Sequence, residues 1–389
     1  MSRNGFRDGW GDGAGNSELG ALSPPVSFRF AQADTLPRRG GMWGAALLAL
    51  FLSACASAPE QQTTPRWSIV VHGGAGVIER ANLMPELEAQ YRAAMQRALT
   101  TGGGVLEQGG TSLDAVEAVI REMEDDPLFN AGRGAVFTEN GRNELDASIM
   151  DGRTRAAGSV AGVSTIRNPI TAARAVMERS QHVMLVGRGA ELFARSQGIE
   201  EVDAAYFFTE RRWQQLERHL LNNGYDAVPA RPPGAPPAPE TYYDATPNDH
   251  RFGTVGVVAY DSQGNIAAGT STGGTTAKRW GRVGDAPIIG AGTYAQNGVC
   301  GVSATGTGEF FIRVGVARDI CARMEFNGED AQEAADNVMA EVGDLAGDGG
   351  VIVLDGRGRH AWAMNTSGMY RAHLERGGEP VVHIFADEE

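Results

Sequence analysis

The spacing of hydrophobic positions changes several times along the chain, and each change marks an element. Trp67 to His72 reads Trp-Ser-Ile-Val-Val-His, an extended apolar run that predicts an opening strand, closed by a glycine turn at Gly73, Gly74 and Gly76. Two helices are predicted next, one from about Pro85 to Leu99 and one over 111–124. In the second, Leu113, Val116, Ile120 and Met123 share a face and Thr111-x-x-Asp114 supplies a capping box. Strand-like runs at Leu145 to Met150, Ser159 to Ser164 and His182 to Val186, with helical stretches near Thr171 to Glu178 and Arg211 to Leu221, complete the first half. The second half predicts strands near 254–260 and 265–271, more strand over 288–304, helices over 308–324 and 329–340, and strands over 351–354 and 361–364. Strands and helices fall in blocks and do not alternate one for one. That order predicts an α+β fold, antiparallel sheet with helices packed on it.

One pair of strands fixes a register. Asp261-Ser262-Gln263-Gly264-Asn265 suits a three-residue hairpin loop with Gly264 at the left-handed position. If Asp261 faces Asn265, Thr254 faces Thr272, and their Cβ atoms lie roughly 4.5 to 5.5 Å apart. Cross-strand threonine pairs are common structural features of sheets. The pair therefore points to chemistry only through its surroundings.

The ends and linkers read differently from the core. Residues 1–37 are rich in Gly, Ser, Asp and Arg without hydrophobic period and carry no predicted fold. Arg38 and Arg39 then precede an apolar run from Met42 to Leu52, too short to span a bilayer and suited to a signal-peptide core. It ends Leu-Ser-Ala-Cys, which resembles a bacterial lipoprotein signal acylated on Cys55; the alternative is an ordinary secretory signal cut near Ala54 to Ala58. Either way export is expected, to the periplasmic side of a membrane as a lipoprotein or to the soluble periplasm. Residues 56–66 read as a tether and 67–389 as one domain. It is interrupted at 228–250, where seven of the chain's 17 prolines between Val228 and Pro247 predict an exposed linker.

Composition narrows the function. Hydrophobic residues make up 42% and charged residues 21%, enough for a sizeable core, while a net charge of -14 and a pI near 5 disfavour nucleic acid and anionic surfaces. The seven histidines show no metal-ligand spacing, which argues against catalytic zinc. A dinucleotide fingerprint after the first strand would need glycine where Glu79 stands. Export permits a disulfide between Cys300 and Cys321, but Cys321 lies on the stripe Phe310, Val314, Ala317, Cys321, Met324 and is expected to be a buried small hydrophobe.

Blocks of motif surround the threonine pair: Gly-Thr-Val-Gly at 253–256, Thr-Ser-Thr-Gly-Gly at 270–274, Gly-Arg-Val-Gly-Asp at 281–285, Gly-Ala-Gly-x-Tyr-Ala at 290–295 and Ala-Thr-Gly-Thr-Gly-Glu at 304–309. Upstream stand Val-His-Gly-Gly-Ala-Gly at 71–76, Phe-Asn-Ala-Gly-Arg-Gly-Ala-Val at 129–136 and Leu-Asp-Ala-Ser-Ile-Met-Asp-Gly at 145–152. In order and spacing, from about Ile69 to Arg371, they resemble the plant-type asparaginase / isoaspartyl peptidase family. The resemblance implies a four-layer αββα sandwich of the N-terminal nucleophile hydrolase type, made inactive and cut by itself into an α chain ending at Gly253 and a β chain from Thr254. The implied activity is hydrolysis of asparagine and isoaspartyl dipeptides without a required cofactor. Cleavage creates the catalyst, because a threonine hydroxyl is a poor nucleophile until an α-amine of pKa about 7.7 to 8.0 lies beside it.

Carried over position by position, the resemblance makes Thr254 the nucleophile, places Thr272 on its hydroxyl and Gly73 near its amine, and gives Asn130 and Thr305 the developing oxyanion. Arg282 clamps the substrate α-carboxylate, and Asp285 with the Gly306 carbonyl takes its α-ammonium. A structural sodium ion is implied on the main-chain carbonyls of Met123, Glu124, Asp126, Phe129, Ala131 and Arg133; Arg133 departs from the pattern by putting a cation in that loop. The expected assembly is a dimer of αβ heterodimers. Glycosylasparaginase is the neighbouring alternative, since it shares Thr-x-Gly and Gly-Arg-Val-Gly-Asp, but Phe-Asn-Ala-Gly at 129–132 looks more like the asparaginase branch. A non-catalytic, surface-anchored binding lipoprotein is the alternative of another class and would never split.

Overall fold

In chain order the strands are β1 (Ser68–Gly76), β2 (Leu145–Asp151), β3 (Ala157–Val163), β4 (Met184–Val186), β5 (Val255–Tyr260), β6 (Ile266–Thr272), β7 (Thr293–Gln296), β8 (Cys300–Gly306), β9 (Gly349–Asp355), β10 (His360–Met364), β11 (Gly368–Glu375) and β12 (Val381–Phe385). The helices are α1 (Pro85–Glu107), α2 (Ser112–Asp125), α3 (Pro169–Arg179), α4 (Gly187–Ser196), α5 (Ala204–Phe207), α6 (Glu210–Asn222), α7 (Gly308–Val314), α8 (Val316–Ala322) and α9 (Ala331–Asp344). This computed structural model describes residues 66–238 and 253–388. The expectations for the leader, for Cys55, for the tether before Arg66 and for the linker over 239–250 lie outside the described residues.

Eight strands form one sheet in the order β12-β11-β1-β5-β6-β2-β3-β4, antiparallel throughout except between β3 and β4; β10-β9-β8-β7 form a second, antiparallel sheet. Side chains alternate across each strand with period two, so one strand feeds two cores. Ile69 and Val71 of β1, with Val255 and Val257 of β5, join the residues of α1, α2 and α3 in one core. Val70 and Val258, on the opposite face, join Val302, Ile352 and Val353 of the second sheet and Ile320, Val338 and Val342 of α8 and α9. Burial on both faces is why these strands read as unbroken apolar runs and not as polar-apolar alternation.

The predicted antiparallel sheet and packed helices are present, and the differences have local causes. β1 continues through its expected glycine turn to Gly76. Helix α1 continues eight residues past Leu99, across Gly102 and Gly103. A Cβ on Gly102 would lie 2.3 Å from Ile69, so glycine there lets the helix sit close on the sheet. The expected helix over 308–324 is broken at Gly315, whose φ of 73° ends α7 and starts α8. Helices α4 and α5 and the last two strands, β11 and β12, were not indicated by period.

Cys321 corrects the expectation of a lone buried hydrophobe. It is buried, but it is bonded to Cys300, joining the start of β8 to the end of α8 with Cα atoms 5.7 Å apart. A stripe cannot tell a thiol that packs from one that pairs. Closing a loop over a sequence separation of 21 residues restricts the unfolded chain by about 3 kcal/mol. Peptide mapping without reductant should recover the Cys300 and Cys321 peptides linked, and reduction should lower Tm; two free thiols, or an unchanged Tm on reduction, would contradict the pairing.

Candidate active site

The hairpin positions the threonines as its register predicts. Val255 pairs with Ser271, the loop is closed by the Asp261 N–H donating to the Asn265 carbonyl at 2.9 Å, and Gly264 takes a φ of 84°. One step beyond the last β5 pair, the Thr254 hydroxyl donates to Thr272 Oγ1 at 3.0 Å. Thr272 Oγ1 also accepts the Gly274 N–H at 3.0 Å, which fixes the acceptor from its other side.

Ahead of Thr254, the Gly253 carbonyl accepts the main-chain N–H of Asn130 at 3.0 Å. The Asn130 side chain is used elsewhere: Nδ2 donates to the Gly274 carbonyl at 2.8 Å and Oδ1 accepts the Val136 N–H at 2.9 Å. Asn130 thus ties the 253–254 junction to the end of β6. The junction is approached closely from both sides. A Cβ on Gly74, whose φ is 111°, would meet Gly253 Cα at 2.5 Å, and a Cβ on Gly253 would meet that of Asn130 at 2.9 Å. The glycine against this junction is therefore Gly74; a Cβ on Gly73 would instead strike the Phe129 ring at 2.5 Å. Thr305 is fully buried on β8 and its hydroxyl has no partner among the described residues.

Beyond the threonines, Arg282 donates through Nε and Nη2 to the two oxygens of Glu309 at 2.9 and 3.0 Å. The guanidinium holds a carboxylate by two parallel bonds, and this contact keeps Glu309 below the ordinary glutamate range. Asp285 is buried beside it, with Oδ2 unpartnered, and burial pushes its carboxyl up to about 7 against the pull of Arg282. Glycine again makes the room: a Cβ on Gly284 would lie 2.9 Å from the Arg282 guanidinium, and one on Gly308 would lie 2.8 Å from Asp285 Oδ1. Gly306 ends β8. A cavity of about 580 Å3 opens next to Glu309, lined by Thr275, Thr276, Thr307 and by His219, Asn222 and Asn223 at the end of α6.

Several groups here were missed by sequence reasoning. His72 sits fully buried between the Thr254 carbonyl and Ser303, and burial pushes its pKa down to about 3. Glu124 accepts the Ser271 hydroxyl at 2.6 Å, beside Thr272, and burial pushes it up to about 8. Lys278 lies 3.8 Å from Asp146, which pairs with Thr272 across the sheet. The available signal was a polar side chain inside an apolar run. Arg133, the odd residue of the expected sodium loop, is exposed, with its guanidinium 6.0 Å from the Tyr206 ring centroid.

Residues 65–384 match the Asparaginase family, and the chain belongs to it; the family has an N-terminal nucleophile hydrolase fold. The chain is 46% identical over 321 residues to the isoaspartyl peptidase of Escherichia coli (strain K12), covering 82% of this chain and 96% of that protein. It is 43% identical over 304 residues to the isoaspartyl peptidase/L-asparaginase of Xenopus laevis, covering 77% and 90%. It is 40% identical over 320 residues to the plant-type L-asparaginase of Pyrococcus furiosus, covering 80% and 97%. The chain is an enzyme of the isoaspartyl peptidase and L-asparaginase kind.

Asp285 links this site to stability. Its carboxyl titrates near 7 when folded and near 3.9 when unfolded, so between those values the folded chain keeps a proton that the unfolded chain has lost. Its contribution is intact below about pH 4 and declines as pH rises to about 7. Asp285→Asn should therefore raise Tm more at pH 8 than at pH 4. Thermal melts at the two pH values test this; an equal change at both would contradict a raised Asp285.

Proposed function

We propose that the enzyme is a self-processing amidohydrolase that hydrolyses asparagine and isoaspartyl dipeptides, with Thr254 as its N-terminal nucleophile. The observation that carries the reading is the arrangement at one chain position: the Thr254 hydroxyl on Thr272, and the preceding carbonyl held by an N–H from Asn130, each at 3.0 Å.

In the uncut chain Thr254 Oγ1 attacks the Gly253 carbonyl carbon, and the oxygen gathers charge against the Asn130 N–H. The C–N bond breaks, nitrogen leaves as the α-amine with the hydroxyl proton, and an ester joins Gly253 to Thr254 Oγ1. Water then hydrolyses the ester, freeing the Gly253 carboxylate and the hydroxyl. In turnover the new amine takes the hydroxyl proton as Oγ1 attacks the substrate side-chain amide. Ammonia leaves from asparagine, or an amino acid leaves from an isoaspartyl dipeptide, and water releases aspartate from the acyl-enzyme.

Arg282 grips the substrate α-carboxylate, which replaces that of Glu309, and Asp285 with the Gly306 carbonyl takes the α-ammonium. Thr305, with its buried hydroxyl otherwise unpartnered, joins the oxyanion site, and Gly73 lies on the amine side of Thr254. The relatives' names favour this reading over glycosylasparaginase. The packing of α1 to α3 on one sheet, and of α8 and α9 on the other, supports an αββα layer order. A structural sodium ion on the loop after α2 belongs to the same reading: the Met123, Asp126 and Ala131 carbonyls accept main-chain bonds of 3.1 to 3.3 Å, and each keeps a lone pair that a cation would use. Export belongs to the same reading, and the Cys300–Cys321 disulfide is a bond suited to an oxidising compartment.

Two variants test the reading. Thr254→Ala should stay folded, uncut and inactive. Arg282→Lys keeps charge but loses the two-bond grip, so it should split normally and lose roughly 1 to 3 kcal/mol of transition-state stabilisation on asparagine and isoaspartyl dipeptides alike. An active Thr254→Ala chain, or an Arg282→Lys enzyme impaired on one substrate only, would contradict these assignments.

A further inference from the structure

A row of buried polar groups crosses the otherwise apolar contact between the two sheets. His72 Nδ1 lies 3.0 Å from the Thr254 carbonyl oxygen and Nε2 lies 2.9 Å from Ser303 Oγ. Ser303 Oγ lies 2.7 Å from Thr270 Oγ1, Thr270 Oγ1 lies 2.5 Å from Thr293 Oγ1, and Thr293 Oγ1 lies 2.8 Å from Ser148 Oγ. Ser148 Oγ in turn reaches the Ala286 carbonyl at 2.6 Å, one residue past Asp285. All five side chains are 0% exposed. They come from β1, β8, β6, β7 and β2, so both sheets contribute.

The carbonyl at one end fixes the direction of the row. A carbonyl only accepts, so His72 carries its proton on Nδ1 and presents a bare Nε2. Ser303 must then donate to Nε2, the Thr270 proton lies between Ser303 and the Gly292 carbonyl, 3.1 Å from Thr270 Oγ1, Thr293 donates to Thr270, and the Ser148 proton lies between Thr293 and the Ala286 carbonyl. A second observation shows that the chain makes space for this row. A Cβ on Gly256, the last residue of Gly-Thr-Val-Gly, would fall 1.9 Å from Ser303 Oγ and 2.2 Å from His72 Nε2.

The geometry points to His72 as a positioning residue that holds the backbone of the nucleophile Thr254, with Ser303 and the hydroxyls behind it bracing the imidazole ring. The inference rests on the reading of Thr254 as nucleophile. His72 transfers no proton; it sets where the Thr254 carbonyl, and hence its amine and hydroxyl, stand relative to the scissile amide. Arg282 and Asp285 bind the substrate independently of it, so loss of the His72 contact falls on kcat and on self-cleavage, not on KM.

The test compares two replacements that divide the functions of the imidazole. An Asn amide places its nitrogen near the position of Nδ1, and a Gln amide places it near Nε2. His72→Gln should lose roughly 100-fold in kcat and in self-cleavage rate with KM within about twofold, the scale of a small misplacement of a reacting group. His72→Asn, which keeps the donor to Thr254, should recover most of that loss. Ser303→Ala removes the donor that holds the ring and should lower kcat roughly tenfold at unchanged KM, about the effect of one hydrogen bond. Rates are read alongside Tm and the parent's cleavage site. A parent that splits at Thr254, with His72→Gln turning over at the parent's rate, overturns the role of His72 alone. Equal losses in the Asn and Gln variants that track Tm, or a rise in KM in place of a fall in kcat, overturn it too. If His72→Gln does not fold, Ser303→Ala decides: unchanged kcat overturns the proposal. A parent that splits elsewhere overturns the reading of Thr254 instead.

Discussion

Everything at this site depends on how closely the chain is brought together at Gly253 and Thr254. Gly253 lies between Gly74 and Asn130 with no space for a Cβ on Gly74 and little for one on Gly253 itself. That closeness lets a main-chain N–H reach the Gly253 carbonyl and lets the next residue's hydroxyl reach Thr272. Side-chain atoms at these glycines would force the strands apart, and a misplacement of even 1 Å is costly in catalysis. Gly74 in Val-His-Gly-Gly and Gly253 in Gly-Thr-Val-Gly are thus steric requirements of this close approach, and Gly256 is a third, needed by His72 and Ser303.

The same region concentrates features that a stable core would avoid. Among the described residues Asp285 is buried with an unpartnered oxygen, Thr305 keeps an unpartnered buried hydroxyl, and Lys278 and Asp146 face each other at 3.8 Å. Burial raises Asp146 and lowers Lys278, each toward its neutral form, so desolvation outweighs their attraction. Groups left short of partners in the fold are available to a ligand that brings them. The two flanking cores, almost wholly apolar, supply the rigidity that holds them in place.

How much of this was legible depended on whether the signal lay in side chains or in the main chain. The β5–β6 register follows from one turn, because loop length and a left-handed glycine fix pairing, and it places Thr254 against Thr272 from sequence alone. The Gly253 contact did not follow, since it uses the Asn130 N–H and main-chain donors carry no residue signature. β11 and β12 escaped because buried polar residues, Arg371 and His383 among them, break their apolar pattern. The disulfide was hidden by Cys321 falling on a helical stripe. His72 ends the first predicted strand, and only the second sheet, folded over it, shows what it touches.

The central claim is that this geometry cuts the chain and that the cut makes the catalyst. N-terminal sequencing of the purified active enzyme tests it most directly. The account predicts two fragments, the smaller beginning Thr254-Val255-Gly256 and ending at Glu389; full activity in an unbroken chain, or a fragment that begins at any other residue, would contradict it.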